Sequence, residues 1–121
     1  ACAPRIWAAV FRTLLRGWMC ARSFGAKSPC RFGCNAGLDD LDHLPHCRIV
    51  GQLLQKFFRI DLGEADHRVD KLTLLDVEAE AVITGARALY CLYRTHNRMR
   101  VNAGRAEDIF GQALRELEAQ T

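Results

Sequence analysis

Two short stretches, Cys30-Arg31-Phe32-Gly33-Cys34 and Asp42-His43-Leu44-Pro45-His46-Cys47, decide how this chain is read. Together they make a Cys-x3-Cys-x8-His-x3-Cys pattern. Zinc favours four soft or borderline ligands in a tetrahedron, and two close pairs separated by a short loop supply them. Gly33 allows the tight curl that turns Cys30 and Cys34 toward one point. His43 and Cys47 are four apart, which on a helix places both on one face. The expected ligands are therefore Cys30, Cys34, His43 and Cys47, with His46 as the rival fourth ligand. Cys47 is favoured over His46 because thiolate binds zinc well. Four protein ligands close the coordination sphere, so the site reads as structural, holding one Zn2+, rather than catalytic.

Outward from this loop the sequence is helical. A first helix is expected from roughly Pro4 to Ala21, with Ile6, Trp7, Val10, Phe11, Leu14, Leu15, Trp18 and Met19 at helical spacing. Pro4 suits a first helical turn. A second helix is expected from Asp42 or Leu44 to Arg59, capped by Asp40 or Asp42, with Ile49, Val50, Leu53, Leu54, Phe57 and Phe58 as its apolar set. Pro45 is tolerated only in its first turn, which carries His43 and Cys47 with it. Residues 60–70 read as a connection, and 71–75 are a short apolar run of undecided type. The longest helix is expected from about Asp76 to Val101, with a broad apolar face over Val77, Ala81, Ile83, Ala86, Leu89, Tyr90, Leu92 and Tyr93. A last helix covers about Arg105 to Ala119. Strands amount to a short pair around the knuckle at most. The fold class is thus mostly α: a small bundle of about four helices, with one zinc-knuckle loop between the first and second. The 121 residues read as one zinc-containing domain, with a basic helix and loop at 1–29, the knuckle at 30–47 and a helical remainder at 48–121.

Charge is uneven. Residues 1–60 hold nine Lys/Arg against Asp39, Asp40 and Asp42, whereas residues 61–121 are net acidic. A basic half suits an anionic partner. Arg5, Arg12, Arg16, Arg22, Lys27, Arg31 and Arg48 are candidate phosphate contacts, and Phe32 is a candidate base-stacking residue. The six cysteines are too sparse for a disulfide framework. They indicate an intracellular reducing compartment, with Cys20 and Cys91 as small core residues. Arg5, Arg12 and Arg16 interrupt the early apolar stretch, which does not read as a signal peptide, and no run is long enough to span a membrane. A first residue of Ala1 fits a processed chain or part of a larger one. No phosphate-binding Gly-rich loop, nucleophile elbow or open metal site points to an enzyme.

The two knuckle stretches resemble the zinc knuckle that follows the polymerase region in reverse-transcriptase proteins of non-LTR (LINE-type) retrotransposons. The match covers the Cys pair with its Gly, the acidic residue directly before His43, and the final Cys47. Arg22-Ser23-Phe24-Gly25 resembles the approach to that knuckle, and Tyr93-Arg94-Thr95-His96-Asn97 more loosely resembles a tail helix of such proteins. The resemblance implies Cys30, Cys34, His43 and Cys47 as ligands and a role in holding RNA or DNA. It implies no polymerase activity, since the Tyr-x-Asp-Asp box is missing. Nucleic acid, in the nucleus or an organelle, is the first expectation for a partner. A structural or adaptor role in a larger protein assembly, recruited from a retroelement fragment, is the second.

Overall fold

The computed structural model describes residues 4–14, 18, 27–63, 68, 79–102 and 104–119. Four α-helices form among them: α1 Pro4–Leu14, α2 Arg48–Phe58, α3 Ala79–Val101 and α4 Ala106–Ala119, with a 3-10 turn at Leu44–His46 just before α2. The expected helical class and helix count hold, and the Cys/His loop lies between α1 and α2. The expected short strand pair is reduced to a single antiparallel bridge, Pro29 with Leu38.

The first helix is expected to reach Ala21. Its described part is Pro4–Leu14, residues 15–17 and 19–21 of the expected helix lie outside the described residues, and Trp18 lies in a bend. Trp18 Nε1–H donates to Thr13 Oγ1 at 2.7 Å, and the Thr13 hydroxyl donates to the Ala9 carbonyl at 2.9 Å. Residues five apart on an α-helix point in well-separated directions. The bend at Trp18 goes with an indole that folds back on Thr13. Trp18 is thereby buried against Tyr93, with ring centroids 5.5 Å apart, and serves the core as its spacing suggests.

The third helix is the hub. It packs on α1, α2 and α4, and Ala86, Leu89, Cys91, Leu92, Thr95 and His96 are all buried. Among its described positions the apolar face is narrower than expected, because Ala81 and Ile83 are exposed and the first buried residue is Ala86. The expected start at Asp76, with Val77 and the run 71–75, lies outside the described residues. On α4, Phe110 is fully buried against Phe57 and Phe58 of α2, at centroid distances of 5.2 and 6.0 Å. Polar straps cross the same seams: Lys56 pairs with Glu107 between α2 and α4, and Arg98 with Glu116 between α3 and α4. These straps lie at the surface and contribute little stability. The knuckle cysteines belong to the same buried cluster as Val50, Leu54, Leu92 and Phe110, so the loop is seated on the bundle. No helix among the described residues is long and apolar enough to cross a membrane.

Candidate metal centre

Two arms of the loop between α1 and α2 run antiparallel. Cys30 N–H donates to the Gly37 carbonyl and Asp39 N–H to the Ser28 carbonyl, each at 2.9 Å. Between them the chain turns tightly. Gly33 N–H donates to the Cys30 carbonyl at 3.0 Å, and Gly33 takes φ +88°, a left-handed conformation that glycine accepts without steric cost. The Ala36 amide points at Cys34 Sγ, 3.5 Å away. The Cys30–Cys34 curl therefore forms as the glycine predicts.

The second ligand pair is built differently from expectation. His43 and Cys47 do not share an α-helical turn. Asp40 Oδ1 accepts from His43 N–H at 2.8 Å, which ties the turn, but α2 is capped at Cys47 and not at Asp40 or Asp42 as expected. The chain then enters a 3-10 turn with two i to i+3 bonds, His46 N–H to the His43 carbonyl and Cys47 N–H to the Leu44 carbonyl. Cys47 is extended, at ψ 126°, and α2 starts only after it. A continuous helix would send both side chains out from one surface, side by side. The break at Cys47 instead turns its sulfur inward to meet the loop, where it is fully buried. The Cys47 carbonyl accepts from Gly51 N–H at 3.0 Å, tying the ligand to the first turn of α2.

The four groups converge. Cys30 Sγ lies 3.7 Å from Cys47 Sγ, Cys34 Sγ lies 3.1 Å from His43 Nε2, and all four ligand atoms fall within 4.8 Å of one another. Zn–S bonds of about 2.3 Å in a tetrahedron place sulfurs roughly 3.8 Å apart, so the set has the dimensions of a single-ion site. These residues could hold one metal ion. His46 is exposed and stands outside the group.

The electrostatics suit a cation. Cys30 is held down to about 5, chiefly by the hydrogen bond from Cys47, against the opposing effect of burial. Cys47 is pushed up by the same bond and by burial. One proton is in effect shared by the pair, because two thiolates this close and this buried repel. A divalent ion bound here would replace that proton and remove the repulsion. Cys91, by contrast, is a buried core thiol pushed up to about 12 by desolvation, in keeping with the role expected of it. The four described cysteines are free thiols, and Cys2 and Cys20 lie outside the described residues.

Two supporting features leave no signature in the ligand spacing. Gly37 packs against the imidazole: a Cβ there would stand 2.2 Å from His43 Nδ1. Gly37→Ala should therefore push the ring off the site and weaken metal binding by about 10- to 100-fold, the scale set by loss of ligand orientation, as read by competition with a chromophoric chelator. The second feature is a buried bridge from knuckle to α3. Asp39 Oδ1 lies 2.8 Å from His96 Nε2, and Asp39 Oδ2 lies 3.0 Å from Arg31 Nη2. Asp39 and His96 are almost wholly buried, and the rings of Trp18 and Phe32 close over His96.

The candidate nucleic-acid contacts divide into three groups. Arg5, Arg12, Lys27 and Arg48 are exposed. Arg5 lies over the Tyr90 ring, and Arg48 Nη2 donates to the Cys34 carbonyl at 3.3 Å. Arg16 and Arg22 lie outside the described residues. Arg31 and Phe32 turn inward: Arg31 is engaged by Asp39, and Phe32 is 5% exposed, with no open face on which a base could stack. The base-stacking role expected of Phe32 is corrected to a core role, because its ring covers the buried His96–Asp39 pair.

No family model, curated protein or solved structure matches this chain.

Proposed function

We propose that the chain is a zinc-stabilised nucleic-acid-binding module, derived from the post-polymerase region of a retrotransposon protein. The observation that carries the metal part is the convergence of three buried thiols and an imidazole within 4.8 Å. Three sulfurs and one nitrogen favour zinc over the oxygen-seeking cations. Zinc bound there would tie the loop to α2 and contribute folding energy. It leaves no coordination position for chemistry, and no enzymatic role is proposed.

The nucleic-acid part is supported by charge. Arg5 and Arg12 are seven apart on α1, so they share one solvent-facing side, and Lys27 and Arg48 add exposed cations beside the knuckle. The alternative, a structural or adaptor subunit, would call for an adhesive apolar patch. The large exposed apolar residues among those described are Leu38, Ile83 and Val101, on the knuckle and at opposite ends of α3. They are scattered singly, as on ordinary surfaces.

Four phosphate contacts predict that affinity for a nucleic acid falls about 50-fold (single strand) to 150-fold (duplex) between 50 and 200 mM salt. Fluorescence anisotropy with labelled RNA and DNA measures this. The double variant Arg5→Glu/Arg12→Glu should bind more weakly and lose part of the salt slope. Salt-independent or absent binding would turn the reading toward the adaptor role.

A further inference from the structure

Two clefts meet across the exposed side of α2. The first, about 340 Å3, lies between the knuckle, α2, the end of α3 and the start of α4. Ile49 and Met99, both partly exposed, give it an apolar lining over the buried Phe32 and Leu53, and Gln52, Lys56 and Arg105 stand at its mouth. The second is wider, about 710 Å3, and runs along α2 toward Ile60, lined by Arg48, Lys56 and Arg68. The two clefts share Gln52, Lys56 and Glu107. Along the joint furrow four cations, Arg48, Lys56, Arg68 and Arg105, face two carboxylates, Asp61 and Glu107.

These cations are positioned by the fold. Lys56 pairs with Glu107, Arg48 reaches the Cys34 carbonyl, and Arg68 bonds the carbonyls of Pro45 and Gly63. A guanidinium has five N–H donors, so an arginine held by one or two carbonyls still has donors for a phosphate. Arg105, its side chain 78% exposed, lies 3.9 Å from Glu107 and stands at the mouth of the apolar cleft. A basic track beside an apolar-lined cleft is complementary to a ligand that alternates phosphates with flat apolar faces.

We infer that this furrow binds a single strand of nucleic acid, with one unstacked base in the cleft against the partly exposed Ile49 and Met99 and the flanking phosphates along Arg48, Lys56, Arg68 and Arg105. The inference rests on the nucleic-acid reading and adds to it a strandedness and a second surface, distinct from the α1 arginines. A base in a duplex is stacked and paired, and cannot enter a cleft unless it is flipped out. An unpaired base enters freely. The Gln52 amide offers both a donor and an acceptor at the cleft mouth, which suits a base edge.

The test uses the full zinc-loaded chain and anisotropy at low salt. Three probes are compared: a labelled single strand of about twelve nucleotides, a length within the range single-strand sites cover, its duplex, and an abasic strand of equal length. The single strand should bind at least ten-fold more tightly than the duplex. The abasic strand should bind about ten-fold more weakly than the normal strand yet keep the same salt slope, since it loses the apolar contacts of the base and keeps its phosphates. Gln52→Glu, at an exposed position whose fold is checked by circular dichroism, should weaken the normal strand about five-fold and leave the abasic strand less affected. Equal binding of all three probes would overturn the base cleft while leaving the broader function standing. No binding of any probe would overturn both.

Discussion

Cys47→Ser is expected to abolish tight metal binding and to melt the knuckle together with the start of α2. Cys47 is fully buried, its sulfur lies 3.7 Å from Cys30 Sγ, and its carbonyl accepts the first helical hydrogen bond of α2. One residue therefore joins the candidate metal site, the loop and the helix. Structural zinc contributes roughly 10–16 kcal/mol in small domains, which matches or exceeds the whole stability of a typical fold at roughly 5–15 kcal/mol. Losing one of four ligands should remove most of that contribution. Thermal unfolding followed by circular dichroism, with zinc content measured on the same sample, should show both losses together. His46→Ala should show neither, because His46 is exposed and outside the convergent set.

Asp39→Ala should destabilise the protein by about 3 kcal/mol, lowering the melting temperature by about 10 °C. The carboxylate joins the loop to α3 by bonding both His96 and Arg31, and it is 5% exposed. Removing it strips a buried acceptor from His96. The cost is below that of a fully buried ion pair, because Arg31 retains partial access to water. Metal content should persist in this variant, which separates it from Cys47→Ser.

The same bridge predicts a pH dependence. Burial holds His96 below its ordinary value of 6.5, with the Asp39 hydrogen bond opposing the shift. Asp39, Arg31 and Cys30 are the charged or titratable groups that act on it. A histidine lowered in the folded state takes up its proton more readily when unfolded. Its contribution is complete above about 6.5 and is lost as pH falls below that value. Denaturant unfolding from pH 5.5 to 7.5 should therefore show a steeper acid loss for the wild type than for His96→Gln. Proton competition for the zinc ligands is common to both proteins, so the difference isolates His96. Equal slopes would contradict the assignment.

The parts of this fold that are legible in the sequence are those written locally. The ligand residues declare themselves by spacing, Gly33 by its turn, and α2 and α4 by apolar residues at helical period. The geometry of the second ligand pair is not legible. An i, i+4 spacing fits one helical face, but here the four groups close on one point through a 3-10 turn and an extended Cys47. The Asp39–His96 contact spans 57 residues and leaves no local trace. Phe32 shows why exposure is hard to read from a loop: an aromatic beside a cysteine suits a stacking platform, and here it roofs a buried imidazole. The first half of α3 is apolar in composition yet its described residues before Ala86 are not buried, because burial depends on which neighbours reach it.

The most direct measurement is the metal stoichiometry of the purified chain by mass spectrometry under native conditions, repeated after chelation, with circular dichroism recorded alongside. One zinc per chain, lost on chelation together with helical signal and restored by adding zinc, is the expected result. A chain that carries no zinc and keeps its fold in chelator would show that Cys30, Cys34, His43 and Cys47 are a cluster of buried thiols and an imidazole, not a metal centre.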